Sequence, residues 1–213
     1  EGTDEPRAPA EPGARALVAA LNAAPVVDDE AACAQQMRAL VAAGHLSYRE
    51  LEARPATLLR CSPHVDTEHG ALWTRFTVQY NLYAGSVVAL GNAAQREALY
   101  ASQARGELGC FAFTEAGAGV LTGIGVETTA TLDEARGVLV LASPTPSARK
   151  TWISQGRFAE RAVILAELVV GGAKRGPRRT WSAIADRARP RRGAAGGAPA
   201  APVARAGVRV TSL

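Results

Sequence analysis

No apolar run in this chain of 213 residues reaches the ~18 uncharged residues a membrane helix needs, so no transmembrane helix is expected. The first residues, Glu1-Gly2-Thr3-Asp4-Glu5-Pro6, are acidic and polar. That order reads against a signal peptide, which opens basic and turns apolar. Cysteine is scarce, and Cys33, Cys61 and Cys110 make an odd number without metal-type spacing. Free thiols in a reducing compartment are expected. His45, His64 and His69 pair with none of them at a zinc-like distance and read as surface or core histidines. Aromatic residues are missing around the arginines near the C-terminus, apart from Trp181, so no nucleic-acid partner is expected.

What is present is a globular composition, 47% hydrophobic and 21% charged, in a chain long enough for one or two domains with a real core. The net charge of +4 hides an asymmetry. From Lys174 onward ten basic residues face one acid, Asp186, whereas the rest carries fourteen basic and nineteen acidic groups. The body is mildly acidic, and the basic balance belongs to the tail.

Residues 1–13, with three prolines and two glycines, read as a disordered arm. Ala14 to Ala24 reads as a helix with Leu17, Val18 and Leu21 on one side. Asp28-Asp29-Glu30 supplies acids for the N-terminus of a second helix that stops at Gly44. Ser47 with Glu50 fits a capping box for a third, ended or bent by Pro55. Residues 60–70 read as a polar loop. Leu72 to Leu90 reads as a buried helix, or a pair of helices meeting near Gly85. Ala93 to Ala104 is a short amphipathic helix, broken at Gly106. Past residue 108 the pattern turns to strands: Val138 to Leu141, Arg161 to Val170, a turn at Gly171-Gly172, and a last strand at 207–213. Residues 187–207 are Arg, Ala, Pro and Gly with almost nothing to bury.

The centre of the chain is Gly109 to Gly156. It opens with Gly109-Cys110-Phe111-Ala112-Phe113-Thr114-Glu115-Ala116-Gly117-Ala118-Gly119, passes through Glu127-Thr128-Thr129-Ala130-Thr131, and closes with Lys150-Thr151-Trp152-Ile153-Ser154-Gln155-Gly156. Small residues let a ligand approach the backbone, threonine and the amides supply donors, and an indole supplies a plane. Such a set suits a flat, heteroatom-rich ring. A set of ordinary strand residues in a β-rich domain has the same composition.

These motifs resemble the acyl-CoA oxidase and acyl-CoA dehydrogenase superfamily, whose flavin-site patterns look like Thr-Glu-x-Gly-x-Gly and Lys-x-Trp-Ile-Ser/Thr. Both occur here in order, about 40 residues apart. Glu127 to Thr131 and Pro144-Thr145-Pro146-Ser147-Ala148 look more like the oxidase branch. The match extends upstream to about residue 46. The resemblance implies an α+β chain: a helical N-terminal domain (14–107), then a small β-barrel-like middle domain (108–213) interrupted by the basic segment at about 174–207, without the family's C-terminal helical domain. It implies FAD as cofactor, with Phe113 and Thr114 at the pyrimidine edge, Trp152 near the ring and Ser154 near N5. It implies a fatty acyl-CoA substrate, a homodimer in the complete protein and a peroxisomal location. The catalytic glutamate would lie in the missing domain, so no catalytic residue is assigned, and Glu115 stays with the flavin motif.

Three departures bear on this. Val120 stands where many members carry a serine near the CoA moiety. Ser154 stands where many oxidases carry glycine and dehydrogenases carry serine or threonine. At Gly176-Pro177 the family continues with a histidine and an apolar strand, whereas this chain has Arg178-Arg179-Thr180-Trp181. An oxidase truncated before its base is the expected function. A dehydrogenase with another electron acceptor, or a non-catalytic flavin-, acyl-CoA- or partner-binding fragment, is the alternative.

Overall fold

The structure is a computed structural model describing residues 11–118, 125–182 and 207–208. The expected arm up to residue 10, Val120, the basic residues 183–206 and the end of the last expected strand (209–213) lie outside the described residues. The chain divides into two compact units. One runs to Cys110 and includes Ser154–Ala159; the other is Phe111–Ile153 and the chain from Glu160 onward.

The first unit is helical. Helix α1, Pro12–Asn22, takes Pro12 into its first turn, where a missing amide hydrogen costs nothing, and buries Ala14, Leu17 and Leu21. Pro12 and Gly13 therefore belong to the helix and not to an arm. Helix α2, Glu30–Ala43, starts where the Asp29 carboxylate accepts the Ala32 amide at 2.7 Å and ends at Gly44 in the left-handed conformation, φ 65°. Helix α3, Tyr48–Ala53, has both halves of the capping box, Ser47 Oγ accepting from the Glu50 amide and Glu50 accepting from the Ser47 amide. Ser47→Ala is expected to lower stability by about 1 kcal/mol, read from urea denaturation; an unchanged midpoint would show that the box contributes nothing.

The expected polar loop is mostly helical. It contains the end of α4, Ala56–Cys61, and two 3-10 turns, Ser62–His64 and Thr67–His69. Asn22 holds it, donating to the His64 carbonyl and accepting the Asp66 amide. His69 is buried with its Nε2 on the Asn22 carbonyl at 3.1 Å, a fold-serving role. All three cysteines are free and buried, and burial pushes Cys61 and Cys110 up to about 11.

The apolar run forms one continuous helical stretch. Helix α5, Gly70–Phe76, passes into a π-helix, Thr77–Ala84, and on into α6, Gly85–Leu90. Gly85 causes no break: its φ is −59°, and its amide bonds the Tyr80 carbonyl five residues back. The wide turn keeps Gln79, Tyr80, Tyr83 and Ala84 buried together. Trp73 stacks on Phe76 at 4.9 Å, Phe76 meets Tyr80 at 4.8 Å, and Tyr80 meets Tyr48 at 5.3 Å. Each buried aromatic contributes roughly 1.5–3 kcal/mol of apolar transfer. Helix α7, Ala93–Ala104, begins with a second capping box, Asn92 with Gln95. No helix among the described residues is long and apolar enough to cross a membrane.

The second unit is built on a sheet. Its strands are β1 (Gly109–Ala112, beginning in the helical unit), β2 (Thr129–Asp133), β3 (Val138–Ala142), β4 (Arg161–Val170), β5 (Ala173–Ser182) and β6 (Gly207–Val208). The order is β1-β4-β2-β3-β6, with β5 also on β4. Strands β2 and β3 are antiparallel, and β2 runs parallel to β4 with Thr129 opposite Glu167. Ala130, Leu139 and Ala166 are the buried centre, with Leu132, Leu141 and Leu168 around it. Among the described residues the strands form an open path, without the closing pair a barrel requires.

Gly171 and Gly172 make a two-residue hairpin loop, both at positive φ (57° and 76°), the geometry that matches strand twist. From there β5 pairs with β4 through to Ala162 opposite Ser182. The basic stretch thus begins as a paired strand, as far as Ser182. Pro177 is accommodated beside a register shift at Glu167/Val169, the kind of irregularity where a residue without an amide hydrogen is tolerated.

Candidate functional site

Three motif segments, 113–118, 127–131 and 145–151, are tied together in the β-rich unit by two charged side chains. Glu115 is buried at 2% exposure, and its Oε1 accepts the Thr128 amide at 2.9 Å and Lys150 Nζ at 2.9 Å. Its Oε2 accepts the Glu127 amide at 2.8 Å. Lys150 uses its other two hydrogens on the carbonyls of Phe113 (2.9 Å) and Leu165 (2.8 Å). Burial pushes the Glu115 carboxyl up, but hydrogen bonds from Thr128, the Glu127 amide and Lys150 outweigh it and hold the group below its ordinary value. Burial pushes the Lys150 ammonium down, partly offset by Glu115. Backbone bonds complete the knot: Ala116 donates to Arg149, Gly117 to Ser147 and Thr151 to Thr114. Thr145 and Ser147 give their hydroxyls to Glu127. Gly117 is required by space, since an added Cβ would stand 2.8 Å from that of Ser147. A carboxylate engaged in this way ties the three segments to one another.

Around this knot lie the residues singled out in the sequence. Phe113 is half-buried, its ring edge-on to Phe111 at 6.4 Å and its carbonyl on Lys150. The Thr114 carbonyl accepts the Thr151 amide at 3.1 Å, while its hydroxyl has no partner among the described residues. That bond brings Phe113 and Thr114 beside the Lys150–Trp152 segment. Trp152 is 92% exposed and sits at φ 57°, a rare conformation for a bulky residue. Ser154 is half-buried in a turn and belongs to the helical unit, unlike the other three.

The sequence reading missed a buried amide network in the helical unit. Gln79 Oε1 accepts the Gly109 amide at 2.8 Å and the Gln155 side-chain NH2 at 3.2 Å. That NH2 also donates to the Gly109 carbonyl at 2.9 Å. The Gln79 NH2 donates to the Tyr48 hydroxyl at 2.7 Å and to the Glu107 carbonyl at 3.3 Å. Gln155 is 1% exposed at φ 66°, and its Oε1 is buried without a partner among the described residues. No local signal marked it: Gln79 is one of several polar residues, with Thr74, Arg75, Thr77, Asn81 and Ser86, in the run from Leu72 to Leu90.

No family model matches this chain. Known proteins that resemble it include acyl-CoA oxidases, so the superfamily read from the two motifs is supported by independent likenesses. The chain is 36% identical over 105 residues to acyl-coenzyme A oxidase 2 of Yarrowia lipolytica, which is 47% of this chain and 15% of that protein. It is 46% identical over 67 residues to peroxisomal acyl-coenzyme A oxidase 2 of Oryctolagus cuniculus, 31% of this chain and 10% of that one. The crystal structure of acyl-CoA oxidase1 from Yarrowia lipolytica aligns with a TM-score of 0.52 and 28% identity, over 76% of this chain and 25% of that chain. The chain therefore matches a quarter or less of the length of these relatives.

Proposed function

We propose that this chain is the helical and flavin-binding part of a flavin-dependent acyl-CoA oxidase. The observation that carries the reading is Trp152: a large indole in the second motif, left 92% exposed on a backbone bent to φ 57°, next to Thr151, whose amide bonds the Thr114 carbonyl of the first motif. An exposed plane with donors nearby fits an isoalloxazine ring. Phe113, Thr114, Trp152 and Ser154 are the residues assigned to FAD. Bound at these residues, FAD would supply the redox chemistry of α,β-dehydrogenation, and the protein's part would be to bind and orient it. The assignment further includes a fatty acyl-CoA substrate, closure of the sheet into a barrel-like domain, a homodimer and a peroxisomal location. No residue described here is assigned the role of α-proton base.

The test is titration of the full chain with FAD, followed by the flavin absorption bands. Trp152→Ala is expected to weaken binding roughly tenfold, from lost stacking and apolar area, and Thr114→Val less so. Wild-type affinity in both variants would overturn the site assignment. Ser154 favours the dehydrogenase reading as the second choice. Peroxide formation on acyl-CoA by the complete protein decides between them.

A further inference from the structure

Resting on the flavin reading, we propose that Gln79 and Gln155 are positioning residues: two buried side-chain amides of the helical unit that, through the backbone of Gly109, hold the turn that carries Ser154.

The reason lies in the backbone. Trp152 at φ 57° and Gln155 at φ 66° are the two non-glycine residues at positive φ among those described, and they bracket Ile153 and Ser154. Such conformations persist only where surrounding contacts over-determine them. On the N-terminal side the anchor is the Lys150 ammonium and the Thr151 amide. On the C-terminal side it is Gln155. Its carbonyl accepts the Phe158 and Ala159 amides, each at 2.8 Å, and its side chain reaches Gly109 and Gln79. Arg38 adds a bond to the Phe158 carbonyl at 2.6 Å.

The network has one allowed sense. The Gly109 carbonyl accepts only, so Gln155 must present its NH2 there. The Gly109 amide donates only, so Gln79 must present its oxygen, which then also takes the second Gln155 hydrogen. The Gln79 NH2 is thereby directed at the Glu107 carbonyl and Tyr48. The π-helix gives Gln79 this reach while keeping it fully buried. A side chain of the same size that cannot donate would leave these acceptors unpaired in the interior.

The test is hydrogen exchange on the full chain without FAD, reading protection relative to the intrinsic rate for the Phe158 and Ala159 amides. Gln155→Met is expected to cut their protection roughly tenfold or more, with Gln79→Met acting in the same direction. The Ala116 and Thr128 amides, held by the Lys150–Glu115 knot, should keep theirs and report that the variants fold. Gln155→Glu separates hydrogen bonding from bulk. With the carboxylate ionised, oxygen faces oxygen and protection is lost; once the group is protonated its hydroxyl can donate, and protection returns as pH falls. A filling role alone would show no such pH dependence. Unchanged protection in Gln155→Met, or a pH-independent Gln155→Glu, overturns the anchoring. FAD titration of the same proteins forms a separate arm. Roughly tenfold weaker binding by Gln155→Met supports positioning, and equal binding overturns it. Failure of the wild type to bind FAD overturns the flavin reading and leaves the exchange result to decide the anchoring.

Discussion

Replacing Lys150 by methionine is expected to destabilise the β-rich unit by about 3–5 kcal/mol, because it strands a buried carboxylate. Glu115 is 2% exposed, and Lys150 is its cationic partner at 2.9 Å. The same substitution removes donors from the carbonyls of Phe113 and Leu165. Urea denaturation is the measurement, with the two units followed by separate signals since they need not unfold together. The acid side supplies the sign. Glu115 is held below its ordinary value in the folded chain, so its contribution is complete above the unfolded carboxyl's pKa. It is lost as pH falls through the lowered folded value. In Lys150→Met the carboxylate no longer has that support and titrates higher, so the stability gap to wild type narrows on acidification. A pairing of Lys150→Met with Glu115→Gln should fall short of the summed effects by about 1–3 kcal/mol. Additive effects, or a gap that stays constant with pH, would refute the anchor role.

Gly109→Ala should be comparably damaging, for a steric reason. A Cβ there would collide with the Tyr83 ring, a buried side chain whose face closes over the Gly109 backbone. Overpacking of this kind costs about 1–3 kcal/mol, and more where the neighbour cannot move. Tyr83 is 2% exposed on the π-helix and has no room to swing away. The shift would also disturb the Gly109 amide and carbonyl, both of which serve Gln79 and Gln155. Loss of stability and loss of FAD binding are therefore expected together. Tyr83→Leu should recover part of the stability lost by Gly109→Ala, which thermal melts of the single and double variants would show. A Gly109→Ala protein as stable as wild type would mean that the ring yields freely.

The ends of helices and the tight turns were determined by the sequence alone. Ser47 with Glu50, Asp29 before α2, Gly44 after it and Gly171-Gly172 between strands satisfy backbone groups within a few residues, so local composition is enough. The family likeness was legible for the same reason, its motifs being short and contiguous. The tertiary structure decided what those motifs do. Glu115 and Lys150 stand in separate motifs, and the fold pairs them although they are 35 residues apart in the chain. Gln79 and Gln155, 76 residues apart, showed no pattern at all. Nothing local foretold that the run from Leu72 would widen into a π-helix, or that Pro177 would sit within a paired strand. Buried polar groups must find partners wherever the fold brings them, and that pairing is settled by packing, not by spacing along the chain.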